Sequence, residues 1–266
     1  MTASAFSEPF TPRGVAAFAR AGFRRLLGAQ FIFAFLGAVS VAYFLRSACF
    51  PPVQTAIDNL PLSGQIQSGR LVWSGDPQTL ADGRFLAFNV DPDHSGQWRS
   101  TTADFQIEFG HDTVRVLSLI GYFDFFYPTT DSLAFNQPQL APLWKAWRGE
   151  ILFLIAVATV VILLVSWWIL TLLYFLPVWL IGFLTNRDMN LQTSLKLSGA
   201  ALLPGALLMT AAIFLYGLGI LNLVTFSFVF VAHFILHWLY LFFGLFFFPR
   251  ASMTTPKGNP FKTDDK

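Results

Sequence analysis

Residues 151–173 read ILFLIAVATVVILLVSWWILTLL. Sixteen of these residues are Leu, Ile, Val or Phe, each worth roughly −0.3 to −0.6 kcal/mol at mid-membrane, so that together they favour insertion by about 6 kcal/mol. A helix buried in a water-soluble core rarely runs this long without a polar stripe. The stretch belongs to one of three blocks that carry no Asp, Glu, Lys or Arg, namely Leu26 to Leu45, Ile151 to Asn186 and Leu197 to Pro249. Each reaches the ~20 residues that cross a hydrocarbon core. The blocks predict an α-helical integral membrane protein with about four transmembrane helices and one small β-rich extracytoplasmic domain.

Composition agrees. Charged residues make up 12% of the chain and apolar residues 55%, where soluble domains carry about 25% charged. No basic patch interleaves with aromatics in the polar segments, so a nucleic-acid partner is not expected. One cysteine, Cys49, excludes an internal disulfide.

Charge orients the chain. Segment 1–25 holds Arg13, Arg20, Arg24 and Arg25 against Glu8, which marks a cytoplasmic flank. Residues 26–46 follow as the first membrane helix, with Ala34, Ala38 and Ala42 four apart beside Gly37 as a ridge for close helix approach. A signal peptide competes with this reading, but the apolar run exceeds the usual h-region and no small-x-small cleavage site follows. Cys49 after Arg46-Ser47-Ala48 resembles a lipoprotein box, with Arg46 where an aliphatic residue belongs.

Residues 47–149 form the extracytoplasmic segment. From Arg46 to Glu150 there are seven bases and eleven acids, against ten bases and four acids in the segments assigned to the cytoplasm. Short runs at Gln65 to Trp73, Arg84 to Val90, Phe105 to Phe109 and Val114 to Leu119 predict strands. Phe105, Ile107 and Phe109 alternate with polar residues, and Gly110-His111-Asp112 supplies a hairpin turn before Val114. Short helices are expected at Val53 to Leu60 and Leu140 to Trp147, with Trp144 and Trp147 as interfacial anchors.

The second helix occupies residues 150–184, with Pro177 expected to break it and to leave Val178 to Leu184 along the membrane surface. Residues 185–196 form a cytoplasmic loop, 197–248 hold helices three and four around a turn at Gly217-Leu218-Gly219 and Asn222, and 249–266 form a cytoplasmic tail. Both termini are therefore placed in the cytoplasm.

Few residues carry a chemical signature. His233 and His237 stand four apart and share a helix face, as a metal or haem pair would, yet no third ligand accompanies them in the spans. Hydrogen bonding to neighbouring helices is the plainer reading, and a proton-relay or ligand role stands beside it. Pro204, with Gly205, interrupts the third helix either as a kink or as a break exposing carbonyls to a substrate. His233, His237, Pro204 and Asn222 make up the candidate intramembrane polar site, and a porter could also use Thr171 and Thr210. The group Asp91, Asp93 and His94 resembles part of a cation loop but lacks its Gly and distal Glu. No catalytic residue, metal site or cofactor is expected.

The arginine-bearing lead from Phe10-Thr11-Pro12-Arg13 to Arg25, the segment with Gly69-Arg70-Leu71-Val72-Trp73 and Val90-Asp91, and Leu202-Leu203-Pro204 after a short loop together resemble a family. It is a family of bacterial multi-pass membrane proteins with an extracytoplasmic insertion after the first helix, distantly Yip1-like. The resemblance implies a small helical bundle in the inner membrane and carries no functional residues. The expected partners are the lipid bilayer and a membrane or extracytoplasmic protein. The expected function is non-enzymatic sensing, scaffolding or assistance to assembly through the extracytoplasmic domain, with a permease or permease subunit for a small solute as the alternative.

Overall fold

The computed structural model describes residues 11–129 and 132–250. Among the described residues four helices are long and apolar enough to cross a membrane: Phe23–Asp58, Gln137–Leu184, Leu191–Gly217 and Leu223–Phe246. In chain order the helices are α1 (Pro12–Arg20), α2 (Phe23–Phe44), α3 (Phe50–Asp58), α4 (Gln137–Leu184), α5 (Leu191–Gly217) and α6 (Leu223–Phe246). Eight strands lie between α3 and α4: β1 (Gln65–Gln67), β2 (Arg70–Val72), β3 (Gln78–Asp82), β4 (Leu86–Val90), β5 (Phe105–Phe109), β6 (Thr113–Ser118), β7 (Gly121–Phe126) and β8 (Ser132–Ala134). The expected tail residues Lys257, Lys262 and Lys266, together with Glu8, Phe10 and Asp131, lie outside the described residues.

The chain divides into two compact units. One takes the chain up to Gly37, Thr159–Ala212 and the chain from Ser227 on; the other takes Ala38–Ala158 and Ile213–Phe226. The second is thus larger than the segment 47–149, because it includes the helix ends that flank the strands.

In the first unit α1 begins on a Thr11 cap, whose hydroxyl accepts from the Gly14 N–H at 3.0 Å, with Pro12 at the first helical position where its missing N–H costs nothing. Val15, Ala16, Phe18 and Ala19 of α1 are buried with Leu26, Val178, Leu197, Leu241 and Leu245. The small-residue ridge of α2 is used within the molecule. Ala34 packs with Trp167 of α4 and Leu202 of α5, and a β-carbon on Gly37 would stand 3.0 Å from Leu163 Cδ1.

Pro177 does not end α4, which runs unbroken to Leu184. Proline removes one helical hydrogen bond, but the turns after it are held by packing: Val178 is fully buried in the α1 core and Gly182 leaves room for Met189. Residues 178–184 are therefore a packed continuation of the helix. The loop after α4 is also shorter than 185–196, since α5 starts at Leu191, where the Asn190 carboxamide oxygen accepts from the Thr193 N–H at 2.8 Å. Beside this loop Arg187 donates to the Phe246 and Phe248 carbonyls at 3.1 and 2.8 Å, and Lys196 donates to the Ala21 carbonyl at 2.9 Å.

In the second unit, α2 passes into α3 through a π-helical turn, Leu45–Cys49. Pro51 and Pro52 cannot donate to Ser47 and Ala48, and the wider turn, closed by Phe50 N–H to Leu45 O, accommodates the loss without ending the helix. The short helices expected at Val53 to Leu60 and Leu140 to Trp147 are the ends of these long helices. Cys49 lies within this turn, partly buried.

The run Gln65 to Trp73 is a hairpin, not one strand. Ser68 and Gly69, both at positive φ (50° and 77°), turn β1 onto β2 in the manner of a two-residue hairpin loop. The strands form a three-stranded sheet in the order β2-β1-β8 and a five-stranded sheet in the order β3-β4-β5-β6-β7, with β4 and β5 parallel. The expected hairpin through Gly110 is present as β5–β6. Leu60, Leu71, Leu80, Phe88, Val90, Tyr127 and Phe135 fill the core of this unit.

Candidate functional site

Three of the four expected site residues lie in one helix contact, between α5 and α6. Pro204 leaves the carbonyl one turn before it without a helical donor, and α6 approaches closely there: a β-carbon on Gly205 would stand 3.0 Å from the His233 carbonyl. His233 is half-buried and turns its Nδ1 to the Phe230 carbonyl of its own helix. His237 is buried, its ring centroid 5.0 Å from that of Tyr174 on α4. The Ala201 carbonyl interacts with it, but neither ring nitrogen completes a hydrogen bond of normal geometry.

Asn222 is not part of this group. It caps α6, its side-chain oxygen accepting from the Thr225 N–H at 2.8 Å and its carbonyl from Phe226 N–H at 2.9 Å, a structural role at the first turn.

The structure adds a member that sequence reading missed. Gln30 of α2 is almost wholly buried and its amide reaches the Gly199 carbonyl of α5 at 3.5 Å, while its own oxygen is unpaired. A β-carbon on Gly199 would stand 3.2 Å from Thr171 Oγ1 and 3.3 Å from Gln30 Nε2, so α2, α4 and α5 meet at this glycine. The Thr171 and Ser198 hydroxyls are buried without a partner. Thr171 precedes Tyr174 by about one turn, so polar groups from α2, α4, α5 and α6 run as a seam through the apolar interior. A lone glutamine in a charge-free block was the available signal for Gln30. Buried donors and acceptors left unpaired cost of the order of 1–3 kcal/mol each; this uncharged set would suit a neutral hydrogen-bonding molecule.

No known family, curated protein or solved structure matches the chain.

The group Asp91, Asp93 and His94 is a built turn in the β region. Asp91 is buried, and its Oδ2 accepts from the Ser95 hydroxyl and the Gly96 N–H, both at 2.9 Å. Burial alone would raise its pKa, but these bonds outweigh it and hold the carboxyl below its ordinary value. His94, at φ 52°, points Nδ1 at Glu108 Oε1 and places Nε2 3.0 Å from the Thr113 hydroxyl.

Glu108 is completely buried, with Arg99 Nε 3.9 Å from its second oxygen. Alternation along β5 implied that Gln106 and Glu108 face water. The structure covers both faces: Ile107 and Phe109 pack against the core, and Gln106 and Glu108 are buried as well, because residues 91–104 fold over their face, while Phe105 at the start of the strand is exposed. Among the described residues no three His, Cys, Asp or Glu side chains converge as a metal site would need.

Proposed function

We propose that this chain is a non-enzymatic multi-pass protein of the bacterial inner membrane, with both termini in the cytoplasm, whose extracytoplasmic β domain senses or scaffolds a partner while the helices anchor it and transmit the event. The observation that carries the reading is α4, 48 residues without interruption from the end of the strands to Leu184. At 1.5 Å per residue it is about 72 Å long, more than twice the ~30 Å hydrocarbon thickness. On this reading one helix serves as both stalk and membrane span, with no loop between the two parts.

Charge supports the orientation. Arg13, Arg20, Arg24, Arg25, Arg187, Lys196 and Arg250 all belong to the segments placed inside. The contacts of Arg187 and Lys196 bring the α4–α5 loop to the end of α6 and to Ala21, and the α5–α6 turn is bonded to the β region through Arg84. That grouping of ends is what four crossings with both termini on one side require.

The test is photo-crosslinking of the full-length protein in native membranes, with a crosslinking residue at the exposed positions Val72, Leu133 or Phe126. Capture of one partner in stoichiometric yield is expected, lost when residues 145–150 in the stalk are replaced by a flexible glycine-serine run. Repeated absence of a partner would overturn the proposal. The incompletely hydrogen-bonded seam of Gln30, Thr171, Ser198 and His237 favours a second reading, a permease for a small neutral solute. A solute-uptake defect in the His237→Ala strain would support it.

A further inference from the structure

Strands β6 and β7 form a hairpin whose outer end carries no charge and exposes large apolar side chains. Leu119 and Ile120 at its tip are 64% and 86% exposed. Tyr122, Phe123, Phe125 and Phe126 on β7, the free edge of the five-stranded sheet, are exposed as well. Phe123 lies opposite Val116 and Phe125 opposite Val114 on one face, which Ser118 opposite Gly121 continues to the turn. A protein docking on a sheet edge covers one strand and alternate side chains; it would leave the second face and the tip in water.

From Val116 to Phe123 there is no charged residue. The first charges up the hairpin are Arg115 and Asp124, directly opposite one another and neutralised by a two-pronged bond, Nε to Oδ1 at 2.7 Å and Nη2 to Oδ2 at 3.0 Å. The same guanidinium lies 4.4 Å from the Tyr122 ring centroid, so the cation also covers an aromatic ring of the charge-free end. The charge-free end is three register pairs deep, about 10 Å at ~3.3 Å per residue, the depth at which interfacial elements enter the boundary of headgroups and acyl chains.

The tip is also level with a membrane helix. Leu117, Ser118 and Leu119 line one cleft with Asn222, Leu223 and Val224, the start of α6, and the polar side chains Arg99, Asp104 and Gln106 line it as well, while Leu218, Ile220 and Val224 are exposed at the helix end. The hairpin tip thus stands across a partly polar cleft from the point where α6 begins.

We infer that the β6–β7 hairpin dips into the outer leaflet of the bilayer beside the α5–α6 turn, with Leu119, Ile120 and Phe123 among the acyl chains and the Arg115–Asp124 pair at the headgroups. The inference rests on the reading of the helices as membrane spans. It gives the β domain a second attachment to lipid and fixes its height over the membrane.

The experiment uses the full chain with Cys49→Ser, a single cysteine at Ile120 carrying an environment-sensitive fluorophore, and reconstitution into vesicles of phosphatidylcholine and phosphatidylglycerol. The same label is placed at Ile162 on α4 and at Gln97 in the β domain. The label at 120 is expected to shift to the blue, to be quenched by lipids brominated high on the acyl chain, and to lose quenching by iodide that the label at 97 retains. Iodide quenching at 120 together with lipid quenching at 162 would overturn the hairpin assignment alone. Absence of lipid quenching at 162 would overturn the membrane reading with it. Protection of 120 from both quenchers would overturn lipid as the occupant in favour of protein.

Discussion

The Tyr216 phenol donates to the Asp104 carboxylate at 2.6 Å, joining the last turn of α5 to the loop before β5 across 112 residues of sequence. Beside it Arg84 donates to the Gly219 and Leu221 carbonyls at 2.8 and 3.1 Å, satisfying acceptors that a helix end leaves open. The ring of Tyr216 stacks with Phe44 and Phe226 and meets Phe85 edge-on. A clasp of one hydrogen bond, one guanidinium and four aromatic rings thus fastens the β region to the α5–α6 turn.

Removing the phenolic hydroxyl should loosen that clasp without unfolding either part. Tyr216→Phe keeps the ring contacts and loses a hydrogen bond to a charged acceptor, about 1.5–3 kcal/mol, lowered by the partial exposure of the pair. The expected result in nanodiscs is a lower unfolding temperature and faster amide exchange at residues 217–223. Addition of Asp104→Asn should cost little more than either change alone, because the two groups are coupled.

Gly110 is the floor beneath His94: a β-carbon there would fall on the imidazole ring. Its carbonyl also accepts from the buried Tyr127 phenol at 3.0 Å, so the backbone has no room to retreat. Gly110→Ala should displace His94 from Glu108 and destabilise by about 1–3 kcal/mol for the overpacking, more for an unpaired buried carboxylate. Limited proteolysis should show early cleavage within residues 92–103, while α4 to α6 stay intact.

The helical architecture was legible because the solvent for an uncharged block is set by its length and composition, which any window of Ile151 to Leu173 displays. Helix ends were less so. Pro177 reads locally as a stop, and only the burial of Val178 among α1, α2 and α6 explains why it is not. The site divides the same way: His233, His237 and Pro204 were visible as unusual residues in apolar runs and do meet. Gln30 joins through a contact 169 residues distant, which no local pattern encodes. In β5 the period of two was correct and Ile107 and Phe109 do pack inward, but the burial of Gln106 and Glu108 on the other face was decided by the loop 91–104, whose path cannot be inferred from alternation.

Acid should release the Asp91 turn before it disturbs the helices. Burial opposes ionisation of Asp91, and the bonds from Gly96 and Ser95 favour it and prevail. The native pKa therefore lies below the unfolded value, near the ordinary 3.8. Such a group contributes stability that is fully present above the unfolded value and disappears as pH falls through the native one. Asp124, held low by Arg115, adds in the same direction in the hairpin. Tryptophan emission of the reconstituted protein should report a transition of the β region below about pH 4. Asp91→Asn should flatten its pH dependence while lowering stability at neutral pH.

His237 separates a packing role from a solute site. Its ring is enclosed by Tyr174 on α4 and by α5, and neither nitrogen has a hydrogen bond of normal geometry. If the imidazole only fills space, Phe should replace it at a cost under about 1.5 kcal/mol and gain from removing buried nitrogens that lack a hydrogen bond of normal geometry. His237→Ala would instead leave a cavity and cost about 2–4 kcal/mol. Unfolding of both variants in the same detergent provides the comparison. A stable His237→Phe protein that supports normal growth would assign the residue to packing. A stable His237→Phe protein that has lost uptake of a neutral solute would assign the seam to transport, since a phenyl ring still fills the space and abolishes every hydrogen bond the imidazole could offer.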